Sequence, residues 1–195
     1  MTQSMADADL ALVRALQAGD DSALDTLMER HREPIFRFVH GYVVNEADAV
    51  ELTQETFVRA YFNIGKFKPT AKFATWLYRI ALNLCRDHAK SRRVKHAAIT
   101  DSLTPAETDT DAERDLPAHG RAPDEEAESA EKMRALDGAI AQLPHDLRTA
   151  LVLTVMEQRS HHDCAELLET TPKTIETRVY RARKLLAELM SKAGF

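Results

Sequence analysis

Residues 160–189 read SHHDCAELLETTPKTIETRVYRARKLLAEL. Two helix starts stand in this stretch. Ser160 precedes Asp163 in a Ser-x-x-Asp pattern, which suits an N-cap serine with an acid three residues on. Thr171 is followed by Pro172, an N-cap residue and then a proline at the first helical position, where its missing N–H is not needed. The second helix carries Ile175, Val179, Ala182, Leu186 and Leu189 at alternating spacings of four and three, which is one apolar face. A short helix, a turn and a second helix make a helix-turn-helix unit.

Lys173, Thr177, Tyr180, Arg181 and Lys184 lie off that apolar face. They are polar, mostly basic, and include one aromatic ring. The second helix of such a unit enters the DNA major groove, where its early residues reach base edges. Arg and Lys pair with guanine there, and Thr contacts a base or the thymine methyl. An ordinary solvated face is the plain alternative.

Upstream, Met133, Leu136, Ile140 and Leu143 mark one more helix, stopped by Pro144, and another spans about 146–156. The N-terminal part reads as four further helices. Leu10, Val13 and Leu16 mark the first. The second starts at Ser22, with Asp25 as its capping-box partner, and bends near Pro34. The third follows Asn45, with Glu46 and Asp48 in the first turn, where the helix dipole favours acids. The fourth runs over about 71–92, with Phe73, Trp76, Leu77, Ile80, Ala81 and Leu84 at core spacing. No segment shows strand alternation bounded by hairpin turns. The expected fold is all-α, in two small helical domains.

The fourth helix carries a second basic stripe. Lys72, Arg79, Arg86 and Arg93 are spaced by sevens, with Asn83 and Lys90 beside them. Cations, an Asn and aromatics at one end suit a strand backbone with a base stacked nearby. The third helix offers a different surface: Asp48, Glu51, Gln54 and Glu55 are acidic or polar. Such a face does not contact phosphate and reads as a protein-docking face, or as a solvated helix start.

The 195 residues carry a net charge of −5, which by itself argues against a nucleic-acid partner. The charge is unevenly placed. Residues 1–100 have 14 basic and 12 acidic side chains, residues 101–131 have 2 and 11, and residues 132–195 have 10 and 8. One short segment makes the chain acidic, and both flanks are mildly basic. That segment has three prolines and few large apolar residues, so it buries too little surface to offset its ordering entropy. The expected boundaries are a first domain over 1–96, a flexible acidic linker over 97–130 and a second domain over 131–195.

Two cysteines, Cys85 and Cys164, read as buried thiols and not as a disulfide framework. His161, His162, Asp163 and Cys164 are adjacent, but metal ligands on a helix prefer spacings of three or four, so no metal is expected. There is no Gly-rich phosphate loop and no nucleophile–base grouping, so neither a cofactor nor catalysis is expected. No stretch approaches the roughly 18 apolar residues of a membrane span. The first residues lack a basic start and apolar run, which places the protein in the cytoplasm.

The runs ELTQETFVRAYFNIGKF (51–67) and FATWLYRIALNLCRDHAKSRR (73–93) resemble region 2 of the extracytoplasmic-function sigma factors of bacterial RNA polymerase. The run LPHDLRTALVLTVMEQRSHHDCAELLETTPKTIETRVYRARKLL (143–186) resembles their region 4. The resemblance implies a non-enzymatic subunit that binds core polymerase, through the β′ clamp helices and the β flap, and directs it to promoters. Asp48, Glu51, Leu52, Gln54, Glu55 and Phe57 are then the polymerase-docking segment. Phe67, Lys72, Trp76, Arg79, Asn83 and Arg86 read the −10 element, where one base is flipped into a pocket at Phe67 and Asn83. Capturing that base couples recognition to melting, since flipping costs least where the duplex already opens. Lys173, Thr174, Glu176, Thr177, Tyr180, Arg181 and Lys184 read the −35 element. The acidic linker threads the polymerase channels toward the RNA exit. An anti-sigma protein is the implied inhibitor.

Three departures stand out. Glu169 takes a turn position where the family often has glycine, and positive φ is uncommon outside glycine. Arg159 replaces a common glycine before Ser160. Glu176 stands where many members are basic, and a glutamate can accept from cytosine N4. Two other classes remain open on residues alone. A stand-alone helix-turn-helix regulator leaves the Lys72–Arg93 ridge unexplained, and a small metal or thiol enzyme rests on the HHDC run alone.

Overall fold

The computed structural model describes residues 2–70, 72–100 and 123–195, with side chains described for 8–70, 72–92 and 128–195. Among the described residues there are eight α-helices and no strand. The N-terminal lobe holds α1 (Thr2–Gln17), α2 (Ser22–Val43), α3 (Glu46–Asn63) and α4 (Phe73–Thr100). The C-terminal lobe holds α5 (Pro123–Gln142), α6 (His145–Leu151), α7 (His161–Leu167) and α8 (Pro172–Lys192). A 3-10 turn at Ile64–Lys66 follows α3, and a π-helical turn at Val152–Met156 extends α6.

Most of the expected helix starts are present with their chemistry. Asn45 accepts from the Asp48 N–H, Ser160 from the Asp163 N–H and Thr171 from the Thr174 N–H, each satisfying an orphan donor of the first turn. Pro172 sits in the first turn of α8. The start of α2 differs from expectation. Asp21 holds the cap position, and the Ser22 hydroxyl donates to Asp20 Oδ1 at 2.6 Å instead of capping toward Asp25. Asp20 Oδ1 also accepts from the Ser22 N–H at 3.1 Å, so the acid two residues upstream, and not the serine oxygen, serves a donor at this helix start. Helix α2 continues through Pro34 to Val43.

Helix also enters both ends of the segment read as linker, since α4 runs to Thr100 and α5 begins at Pro123. Proline opens α5, and Ala and Glu dominate its first turns, all favourable at a helix start. Residues 101–122 lie outside the described residues.

The core of the N-terminal lobe is built on Leu27, Ile35, Phe38, Val39, Tyr42, Leu77 and Tyr78, all essentially inaccessible. Buried Asp9 on α1 is met by His31 Nε2 at 2.8 Å and Arg30 Nη1 at 3.0 Å, which fixes α1 against α2. Gln17 Nε2 donates to the carbonyl of Ile64 at 2.8 Å and ties the end of α1 to the turn before α4.

The two lobes are not separate bodies. The apolar cluster of the first runs on through Ala150, Val152, Leu153, Cys164, Ala165, Leu167, Ile175 and Val179 of the second. Gly41 of α2 makes this approach possible: a Cβ there would stand 2.6 Å from Met156 Sδ and 3.3 Å from Val152 Cγ1. Glu157 follows that turn. Its nearly buried carboxylate accepts from the Tyr78 hydroxyl at 2.9 Å and pairs with Arg37 at 3.3 Å.

Candidate nucleic-acid interface

Trp76, Arg79, Asn83 and Arg86 fall on one side of α4, as their spacing of three, four or seven requires, and Lys72 immediately precedes that helix, its carbonyl accepting from the Trp76 N–H at 3.2 Å. Phe67 joins their base through an aromatic cluster, with ring centroids 5.4 Å from Trp76 and 6.0 Å from Phe73. Phe67 is only 5% exposed and packs against Trp76. Asn83 is exposed, and Trp76 is half-buried. The Arg93 side chain lies outside the described residues.

Three ridge cations are paired with the C-terminal lobe while keeping part of their surface in solvent, 55% for the Lys72 side chain, 39% for Arg79 and 40% for Arg86. Arg79 donates from Nη2 to the Glu166 carbonyl at 2.9 Å and from Nε to the Leu167 carbonyl at 3.2 Å, and its Nη1 pairs with Glu169 at 3.1 Å. These are the C-terminal carbonyls of α7, the negative end of the helix dipole. Lys72 lies 3.7 Å from Asp163. Arg86 donates to His145 Nε2 at 2.7 Å and lies 4.0 Å from Asp146.

The second polar face, on α8, is open. Tyr180 is 70% exposed, and Lys173, Thr177, Arg181 and Lys184 are exposed with it. Lys173, Glu176, Thr177 and Tyr180 line a shallow open depression. Lys173 Nζ lies 2.9 Å from Glu176 Oε2, and that hydrogen bond holds the carboxyl below its usual range. Thr177 donates to the Lys173 carbonyl at 2.9 Å. Thr174 is half-buried, and its hydroxyl meets that of Thr171 at 2.9 Å, so it serves the cap of α8 more than the outer face. Glu169 has φ 51°, as its glycine-like turn position requires, and the next N–H closes the turn on Ala165 at 3.0 Å.

Residues 27–94 match the family model of Sigma-70 region 2, and residues 133–186 match that of Sigma-70, region 4. The sigma-E factor of Haemophilus influenzae is 35% identical over 184 residues, spanning 91% of this chain and 93% of that protein. The sigma-H factor of Pseudomonas aeruginosa is 32% identical over 180 residues, spanning 91% of each. The chain belongs to the extracytoplasmic-function sigma factors. A solved structure of CnrH in complex with the cytosolic domain of CnrY superposes with a TM-score of 0.64 at 25% identity, over 95% of this chain and 99% of that one. The sigma factor RpoE of Bartonella quintana, in complex with the anti-sigma factor NepR, shares the fold with a TM-score of 0.61 at 21% identity, over 86% and 96%.

In sigma-factor terms the N-terminal lobe is region 2 and the C-terminal lobe is region 4. The expected docking segment of region 2 divides in the structure. Glu51 and Gln54 are exposed on α3, and Glu55 pairs with Arg59 at 2.7 Å. Leu52 and Phe57 are buried on the opposite side, so they shape the helix and present no surface. Asp48 is held at 3.2 Å by both His88 and Arg92 of α4, an internal contact in place of a free acid. Two residues missed on sequence grounds belong to the outer face: Val58 is exposed, and Phe62 is 77% exposed. The series 51, 55, 58, 62 has helical spacing and carried the signal, but the apolar pair reads as core until burial is known.

Among the described residues no cluster of three His, Cys, Asp or Glu side chains converges as a metal site. Cys164 is inaccessible in the core, while His161 and His162 are exposed. Burial pushes the Cys85 thiol up to about 12 and the Cys164 thiol up to about 11. No helix among the described residues is long and apolar enough to cross a membrane.

Proposed function

We propose that this sigma factor docks on core RNA polymerase through Glu51, Gln54, Glu55, Val58 and Phe62 and reads promoters with two separate faces. The ridge of α4, with Asn83 at its exposed centre, captures the −10 strand, and the exposed face of α8 enters the −35 major groove. The observation that carries this reading is the pair of basic faces on different lobes, one on α4 and one on α8, with an acidic and apolar α3 face apart from both. Region 4 adds the contact with the β flap. The chain acts as a binding subunit in the cytoplasm and catalyses no reaction itself.

An anti-sigma protein is the expected inhibitor. Two solved neighbours of this fold were captured in complexes, CnrH with the cytosolic domain of CnrY and RpoE with NepR. The test is reconstitution: core polymerase plus this protein transcribes a subset of genomic fragments that core alone does not. Fragments transcribed equally with and without it would overturn the reading.

A further inference from the structure

His145 opens α6 and stands where three elements of both lobes meet. Its Nδ1 contacts the hydroxyl of Tyr42 on α2, and its Nε2 accepts from Arg86 Nε on α4 at 2.7 Å. The guanidinium of Arg148 lies over the Tyr42 ring, 5.1 Å from its centroid, and donates to the Tyr42 carbonyl at 3.3 Å. This corner joins the Arg79 contacts with α7, the Glu157 contacts with Tyr78 and Arg37 and the Lys72–Asp163 pair in holding region 4 against region 2.

The network dictates the protonation state of His145. Arg86 Nε always carries a hydrogen, so His145 Nε2 must present a lone pair. The single proton of the neutral ring is then on Nδ1, where it donates to the Tyr42 oxygen. Burial pushes the Tyr42 phenol up to about 12, so it stays neutral throughout. An imidazolium would instead set an Nε2–H against the Arg86 N–H and add a positive charge beside Arg86 and Arg148. Asp146 pulls the other way, but its carboxylate already meets Arg178 of α8 at 3.3 Å and Arg86 at 4.0 Å. Burial, then the Arg86 charge, holds the His145 imidazole below its ordinary value, and Arg148 adds to this.

We propose that His145 is a proton-operated latch: its neutral ring holds region 4 against α4 with Arg79 and Arg86 engaged by α7 and α6, and uptake of a proton releases them. The closed form binds fewer protons than the open form wherever the ring titrates, so closure weakens as pH falls. The contribution of His145 to closure is fully present above the ordinary imidazole value of 6.5. Below it the closure constant falls by up to about tenfold per pH unit, until the depressed value is passed. Acidification of the surroundings then frees Arg79 and Arg86 of the −10 ridge from their partners while the −35 face of α8, already open, is unchanged. The consequence for promoters rests on the proposed role of α4, whereas the latch itself does not.

Small-angle scattering of the purified full chain, from about pH 7.5 to about pH 5.5, tests the latch without DNA or polymerase. The wild type is expected to expand as pH falls. His145→Gln, which keeps an acceptor for Arg86 and takes up no proton, is expected to stay compact across the range. Gly41→Leu, which drives a side chain into Met156 and Val152 without touching a ridge residue, is expected to be expanded throughout. An unchanged wild-type envelope, or the same acid expansion in His145→Gln, overturns the latch. Should His145→Gln not fold, the imidazole titration of His145 by NMR in the wild type decides. A value below the ordinary one that returns to it in Gly41→Leu supports the latch, and a value at or above it in the wild type overturns it. Either failure leaves the reconstitution test of promoter-directed transcription untouched.

Discussion

The guanidinium of Arg159 lies 3.9 Å from the centre of the Tyr78 ring, joining the turn before α7 to the core of region 2. Arg159 occupies a position read in the sequence as a departure from a family glycine. Its side chain gives that departure a physical role, since it covers a buried ring whose hydroxyl is taken by Glu157. Arg159→Ala is expected to cost about 1–2 kcal/mol of interlobe stability, the range for a partly desolvated cation over an aromatic face. Urea unfolding followed by Trp76 fluorescence measures it, and an unchanged midpoint would count against the contact.

Tyr42 and Tyr78 give the fold an alkaline limit. Burial is the main cause that raises both phenols to about 12 from an ordinary 10.0, and Arg148 and Arg159 respectively oppose it. The folded state therefore holds protons that the unfolded state releases between these values. Stability from this source is complete below pH 10.0 and lost as pH rises through about 12. Phenolate absorbance should show Tyr42 and Tyr78 titrating late and together with unfolding. Ordinary titration of Tyr42 and Tyr78 in the folded protein would refute this.

Cys85 and Cys164 are expected to resist thiol reagents in the native protein at neutral pH. Both are inaccessible, and both thiols are raised by burial, so little reactive thiolate is present. Modification should become fast only in denaturant. Rapid labelling of either cysteine in the folded chain would show that the lobe core opens readily.

Phe62 separates docking from folding. Being largely exposed, Phe62→Ala should leave the unfolding midpoint within about 0.5 kcal/mol of the parent. Affinity for core polymerase should fall roughly tenfold or more if the ring is an anchor of the interface. Competition against the wild type for core polymerase reads the effect, and equal affinity would remove Phe62 from the docking face.

The two promoter faces should fail differently. Arg181→Ala is expected to weaken −35 duplex binding by roughly 1–3 kcal/mol. Asn83→Ala is expected to impair open-complex formation more than closed-complex binding, because a flipped base is available only once the duplex opens. Normal permanganate reactivity at the −10 element with Asn83→Ala would reject the capture role.

Helix placement was legible because local chemistry sets it. The caps at Asn45, Ser160 and Thr171 act within one turn, and the period of Ile175, Val179 and Ala182 fixes a face without any partner. Where a local rule had a nearby competitor, as with Asp20 beside Ser22, the sequence pattern misled. Side-chain exposure was less legible. Leu52, Phe57 and Phe67 stand inside family motifs, yet the fold buries them, while Val58 and Phe62 look like core and lie outside. A motif records which residues occur together and not which of them reach the surface.

The sequence by itself determined the helices, the two basic faces and the acidic face of α3, because each follows from spacing within a single helix. Only the tertiary structure decided that region 4 lies over the α4 ridge. That contact joins Arg79 to α7 carbonyls 87 and 88 positions away and Arg86 to His145 59 positions away. No local period encodes such pairings. They depend on a glycine at 41 that lets two helical surfaces approach, and on buried polar groups that find partners only once the lobes have met.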